Sequence, residues 1–317
     1  MKIGYANIKN YLRKTCKYGL YIPWSNLLLT YGYKTMSKEY LRSISDKRNR
    51  KIQQILAPVI EEANQMKVTS MEQGHQAPIW VCWFQGEAQM SAVPRLCLAS
   101  IRRHANGHPV IVLTAENYQQ YVSLPEIVLQ RYKAGQLKAA HFADILRIHL
   151  LAQQGGLWLD ATLLLTKPIP EVFFSLPFFT IKTEPEGNFV SQCRWAVFCL
   201  ASWKNNPLFV KLAHTFERYL QQTDVFVDYF MFDQFVDMLY QRDSEIRRMI
   251  DEVPMNNAKV HRLGALLDER FDAAHWATLT EDTYLFKLSW KTFQAPSGQQ
   301  PSSVETYYDF LHKLFEN

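Results

Sequence analysis

Glycine is scarce in this chain, with twelve in 317 residues. None falls in the G-x-G-x-x-G or G-x-x-x-x-G-K-[ST] spacing that wraps backbone N–H groups around a phosphate. That counts against an α/β enzyme built on a glycine-rich nucleotide loop. Cysteine is scarcer still. Cys16, Cys82, Cys97, Cys193 and Cys199 are odd in number and form no C-x-x-C pair. No zinc or disulfide framework is therefore expected, and a reducing cytosol suits the chain best. Long apolar runs are absent as well. Nothing approaches the roughly 18 residues that a membrane-spanning helix needs. The basic start, residues 1–17, lacks the apolar core of a secretory signal. No internal repeat or long low-complexity tract occurs, and the one late Pro/Gly/Ser/Gln-rich loop is 298–303.

Aromatic residues, by contrast, are plentiful: 14% of the chain, within a hydrophobic total of 48%. Most of these rings belong in a large core, but flat π faces also pack on sugars and nucleobases. Charge is unevenly placed. Residues 1–50 hold eleven Lys/Arg against two Asp/Glu, a local excess of +9 in a chain whose total is +5. The remainder is therefore net acidic. The basic segment is interleaved with Tyr5, Tyr11, Tyr18, Tyr21, Trp24 and Leu27–Leu29. Basic side chains beside apolar ones suit either an anionic membrane surface or the solvated faces of N-terminal helices. No nucleic-acid recognition motif accompanies them, so nucleic acid is not an expected partner.

Residues 1–75 read mostly as helix, with 37–64 the longest stretch and 73–75 a linker. From residue 78 the texture changes. Short apolar runs at 79–84, 110–113 and 157–165 read as buried strands. Helical segments at 94–104, 115–122, 125–134 and 139–153 lie between them. Strand alternating with helix implies an α/β fold with a largely parallel sheet flanked by helices, and ligands bind such sheets at the carboxyl ends of their strands. Further strands are expected at 178–182, 195–200 and 284–291. Further helices are expected at 207–220, 226–242 and 304–315. The division that follows is a helical N-terminal extension, 1–75, and a catalytic domain, 76–317.

The stretch richest in chemistry runs from His141 to Thr162. Asp144 and Arg147 are three apart on the expected helix and share a face. Gly155-Gly156 suits that helix's end, where the chain must turn through a left-handed conformation. Asp160 then interrupts an apolar strand. A carboxylate there is costly unless paired, hydrogen-bonded or on a metal, so it is either half of an ion pair with Arg147 or part of a ligand site.

The string Ala143-Asp144-Ile145-Leu146-Arg147, then Leu150-Leu151, then Gly155-Gly156-Leu157-Trp158-Leu159-Asp160-Ala161-Thr162, resembles the core of capsular polysaccharide synthesis proteins. It also resembles the wider family 32 type of glycosyltransferase. Trp80 to Gly86, Asn117-Tyr118 with Leu124-Pro125, and Asp228-Tyr229-Phe230 support the resemblance, which runs from about residue 78 to the C-terminus. It implies a GT-A-like fold and transfer of a sugar, with retention, from a UDP-sugar donor to a growing capsular or other cell-surface glycan or a lipid-linked oligosaccharide. In the wider family an Asp-x-Asp motif holds Mn²⁺ or Mg²⁺ against the donor diphosphate. Asp160 matches its first carboxylate and is the implied metal ligand, while Thr162 stands where the second would be.

By the same resemblance Asp144 and Arg147 grip the donor, with Gly156 and Thr162 beside them. Trp83, Phe84, Gln85 and Gly86 meet the nucleobase; for Trp83 the alternative is core packing. Lys287 and Lys291, four apart on an expected strand, either face the leaving diphosphate or form a solvated pair, and His275-Trp276 is a weaker candidate for the same task. Asp228 and Asp233 are candidates for a catalytic carboxylate or for acceptor binding, with helix capping as the alternative. The implied location is cytoplasmic, peripheral on the inner face of a bacterial inner membrane. The rival reading is a non-catalytic, membrane-associated component of a capsule-assembly complex, for which Thr162 is the best support.

Overall fold

The computed structural model describes residues 5–74, 76–187, 189–291, 293 and 305–316. The expected linker's His75, the loop 298–303 and Val304 lie outside the described residues. The chain begins with three helices, α1 (Tyr5–Tyr18), α2 (Tyr21–Tyr31) and α3 (Lys38–Asn64). Ser37 caps α3, its hydroxyl accepting the Tyr40 N–H at 3.2 Å. Along α3, Ile52, Leu56, Val59, Ile60 and Ala63 recur at helical spacing, and all are buried. There follow β1 (Ile79–Cys82), α4 (Ala92–Arg103), β2 (Val110–Leu113), α5 (Glu126–Lys133) and α6 (Ala139–Gln154). Next are β3 (Gly156–Asp160), β4 (Leu163–Leu165), α7 (Val172–Ser175), β5 (Phe178–Thr180) and β6 (Cys199–Ser202). The chain ends with α8 (Pro207–Gln222), α9 (Met231–Arg242), α10 (Ser244–Asp251), α11 (Ala273–Thr280), β7 (Leu285–Lys287) and α12 (Tyr307–Glu316).

The main sheet has the order β2-β1-β3-β6-β5. Strands β1, β2 and β3 are mutually parallel, as the strand–helix alternation requires. Strands β6 and β5 extend the sheet antiparallel. One large apolar cluster joins the sheet to α6, α8 and α9, and it also takes in Ile52, Leu56, Val59 and Ile60 of α3. The N-terminal helices therefore share the core of the sheet. Their link to it is fixed where Glu72 and Lys204 exchange backbone hydrogen bonds, both at 3.0 Å.

Five elements differ from the sequence expectation. The helix expected at 115–122 is only a short 3-10 turn, Tyr118–Gln120. The apolar run 157–165 is two strands. β3 ends at Asp160, and β4 leaves to pair with β7 in a separate two-stranded sheet. Leu163 and Leu165 of β4 face the main core, whereas Leu164 faces a second cluster with Phe286, Leu288 and Tyr307. A strand between two cores is apolar on both sides, so hydropathy alone does not show where it separates from its predecessor. The strand expected at 195–200 begins only at Cys199, because Trp195 leaves the sheet to donate its indole N–H to Asp233 at 2.8 Å. The helix expected from 226 begins at Met231, after a loop in which Arg48 holds Asp228. The strand expected over 284–291 is only Leu285–Lys287, and the Lys291 N–H then turns back to the Ser289 hydroxyl at 3.3 Å.

Candidate functional site

Cys82 and Asp160 are paired in register at the carboxyl ends of β1 and β3. Beyond them opens a cleft of about 610 Å³. Its position follows from α6 and β3, which run back to back through Gly155-Gly156. Both glycines have positive φ, +67° and +92°. A Cβ on Gly156 would lie 2.4 Å from the Pro78 carbonyl oxygen, and one on Gly155 would lie 2.7 Å from the Ser202 carbonyl oxygen. Only glycine allows this turn, and the turn sets the face of α6 that carries Asp144 and Arg147 against the end of β3.

Asp160 is the centre of the cluster. Its Oδ1 accepts the Trp158 indole N–H at 3.0 Å and lies 3.6 Å from Nη1 of Arg147. Its Oδ2 accepts from the Lys287 ammonium at 2.7 Å. Arg147 is buried, forms an ion pair with Asp144 and donates to the Val197 carbonyl. Its guanidinium lies over the rings of Trp158 at 5.2 Å and Phe232 at 5.7 Å. Its Nε is buried with no hydrogen-bond partner among the described residues.

Burial alone would raise the pKa of Asp160, but the charges of Lys287 and Arg147 outweigh it and hold the carboxyl below the usual range. Burial pushes Asp144 up, against the pull of Arg147. Asp233, at the start of α9, is pushed up to about 6 by burial despite the indole bond from Trp195. Burial also raises the Cys82 thiol to about 12, so it is no thiolate nucleophile at neutral pH.

Aromatic residues form the walls. Trp83 and Trp290 meet edge to face at 6.2 Å, and the Lys291 ammonium lies over the Trp290 ring at 5.6 Å. The buried Trp83 Nε1 has no hydrogen-bond partner among the described residues. Tyr229 and Phe230 stand on the rim, 55% and 53% exposed.

The structure thus brings Trp83, Asp144, Arg147, Asp160, Thr162, Lys287 and Lys291 to one cleft. It does not bring the others there. Phe84, at the start of the turn that follows β1, packs onto Tyr118 and Phe142. Gln85 and Gly86 lie in the turn beyond it, outside the cleft lining. Gly156 sits at the far end of β3, pressed against Pro78 and Trp80. His275 bonds the Tyr307 hydroxyl at 3.1 Å, and Trp276 packs in the second core. Asp228 is buried outside the cleft and lines a neighbouring cavity of about 510 Å³. There Arg48 donates to it at 2.6 Å, Gln234 at 3.2 Å and the Tyr229 N–H at 2.7 Å.

Asp233, in contrast, borders both cavities. Among residues not assigned to the site from sequence, Trp158 was within reach of strand periodicity, since it shares a face with Asp160. Phe232 and Trp290 had no local signal.

A divalent cation on Asp160 does not suit this donor set. The Lys287 ammonium occupies the seat beside Oδ2, Thr162 supplies a hydroxyl in place of a carboxylate, and Asp144 is closed off by Arg147. Among the described residues no group of three or more His, Cys, Asp or Glu side chains is arranged to hold a metal ion.

Among solved structures, the PaToxG Glycosyltransferase is similar at a TM-score of 0.36 and 16% identity, over 78% of this chain and 99% of that one. No curated protein matches. The family profile "Capsular polysaccharide synthesis protein" matches residues 32–311, from just after α2 into α12. With nearly all of its length so matched, the chain belongs to the capsular polysaccharide synthesis protein family.

Proposed function

We propose that the chain is a glycosyltransferase that moves a sugar from a nucleoside-diphosphate donor, by the resemblance a UDP-sugar, to a hydroxyl of a cell-surface glycan or its lipid-linked precursor. The observation that carries this reading is the convergence of Asp144, Arg147, Asp160 and Lys287 at the strand ends, beneath the Trp83–Trp290 pair. Ring faces there suit a base or sugar. The carboxylates suit sugar hydroxyls, and the cations suit phosphate oxygens. In the reaction, the bond from the anomeric carbon to the phosphate oxygen breaks, and its electron pair leaves with the nucleoside diphosphate. The acceptor oxygen bonds the same carbon from the same face, as retention requires, and its proton passes to the departing phosphate oxygen. Lys287, Lys291 and Arg147 stabilise the charge that develops there, an effect that is strongest in a water-poor site. Asp233, between the two cavities, is placed to accept a hydrogen bond from the acceptor hydroxyl.

The test is release of nucleoside diphosphate from a panel of nucleotide sugars, with a capsular oligosaccharide supplied as acceptor. Asp160→Asn is expected to lower turnover by about 100-fold or more while remaining folded, as its far-UV circular dichroism would show. Full activity in that variant would sink the proposal.

Attachment to an anionic membrane surface is proposed on a separate observation. Leu12, Leu20 and Leu27 of the basic N-terminal segment are 56%, 60% and 41% exposed. No helix among the described residues is long and apolar enough to cross a membrane, so contact through these helices would be peripheral.

A further inference from the structure

Lys287 reaches Asp160 along a path fixed by backbone pairing. In the β4–β7 ladder Leu163 stands opposite Lys287. The Lys287 N–H donates to the Val260 carbonyl at 2.7 Å, and the Leu288 N–H to the Thr162 carbonyl at 2.8 Å. The strand is thereby held on both sides of the lysine, and its Nζ lies 2.7 Å from Asp160 Oδ2 and 2.8 Å from Thr162 Oγ1. The face of Phe198 covers it at 5.2 Å. An ammonium has three hydrogens. Two are engaged, and among the described residues no third acceptor is in reach, so one donor remains for a ligand in the cleft.

This arrangement reproduces what a metal would supply: a positive charge anchored on the strand-end carboxylate and facing the cleft. It also excludes a directly held ion. A divalent cation on Asp160 would need the ammonium's seat, and with Lys287 displaced it would find one carboxylate and one hydroxyl. The residue at 162 matters here. A second carboxylate would favour a doubly charged ion, whereas a threonine hydroxyl accepts from an ammonium and leaves a single countercharge, Asp160, for a single positive charge. Arg147, 3.6 Å from Asp160 Oδ1, and Lys291, on the Trp290 face, add positive charge on the same walls.

We propose that the Lys287 ammonium, seated on Asp160 and Thr162, takes the place of a divalent cation against the donor diphosphate, so that the chain binds its nucleotide and transfers from it without a metal. This rests on the glycosyltransferase reading above and specifies its chemistry.

The experiment is calorimetric titration of the full chain with UDP, GDP, CDP, ADP and dTDP, once in EDTA and once in Mn²⁺. One nucleoside diphosphate is expected to bind equally well in both. Lys287→Met, which keeps the stem and removes the charge, should bind it at least about tenfold more weakly, the size of one lost charge-assisted hydrogen bond. Mn²⁺ should not restore the loss, and Lys287→Arg should restore part of it. Wild-type binding that appears only with Mn²⁺ would overturn the metal-free proposal and leave the sugar-transfer reading intact. Absence of binding by all five in both conditions would overturn both. The wild-type comparison decides the matter even if Lys287→Met fails to fold.

Discussion

Asp233 offers a test of the site's electrostatics that needs no substrate. Burial raises its pKa from an ordinary 3.8 to about 6. Below about pH 4 the carboxyl is protonated in both the folded and unfolded chains, and it costs nothing. As the pH rises from about 4 to 6 the unfolded chain gives up the proton while the folded one keeps it, so stability falls. Above about 6 both are ionised and the loss is complete. A shift of about two units corresponds to about 3 kcal/mol. Asp233→Asn cannot ionise, and its amide oxygen can still accept the Trp195 N–H. The variant should therefore gain on the wild type by about 2 kcal/mol between about pH 4.5 and 7.5. Guanidinium unfolding followed by far-UV circular dichroism across that range measures the difference. A gap that stays flat with pH would show that Asp233 ionises normally and would refute the argument. The same titration should appear in catalysis, with turnover changing near pH 6 in the wild type and not in Asp233→Asn.

The remaining predictions concern the N-terminal helices. Arg48 and Asp228 form an ion pair with side chains only 8% and 4% exposed. Arg48→Met should cost about 3–5 kcal/mol at neutral pH, and replacing both partners (Arg48→Met with Asp228→Leu) should recover most of it. Burial would raise the Asp228 pKa but Arg48 outweighs it, holding the group below the usual range. This contribution is therefore present at neutral pH and lost as acid protonates the carboxylate. Urea unfolding at pH 7 and at about pH 2, well below the usual carboxylate range, would show the contrast, and equal losses at both would contradict it. Replacing Leu12, Leu20 and Leu27 together by Ser should weaken binding to anionic vesicles in a sedimentation assay. Unchanged binding would remove these helices as the contact surface.

What could be read from the sequence was local. The cleft's acidic and basic pair on α6 and the carboxylate at the end of β3 are set by helix spacing, a glycine turn and a short apolar strand, all within twenty residues. Lys287 joins them from 127 residues away, and no local pattern fixes that distance; its twin Lys291 looked equivalent. Asp228 and Asp233 looked alike as well, since both flank the same aromatic run. They separate because Met231 starts a helix between them, turning one toward Arg48 and the other toward Trp195. The two-sided burial of β4 hid its departure from β3. The sharing of a core by α3 and the sheet depends on contacts with α8 and α9, which periodicity within α3 announces only as an apolar stripe.

The glycine turn between α6 and β3 works as a gauge with two arms. Arg147 lies eight residues before Gly155, which is about 12 Å of helix at 1.5 Å per residue. Asp160 lies four residues after Gly156, about 13 Å of strand at 3.3 Å per residue. The arms match, so the guanidinium and the carboxylate arrive at the same height. One extra residue in the helical arm would rotate Arg147 by about 100° around the axis, and one in the strand arm would turn Asp160 to the opposite face of the sheet. The spacing Arg147, Gly155-Gly156, Asp160 is thus a length requirement, and a chain that kept every residue type but altered either arm by one would lose the contact on which the cleft is built.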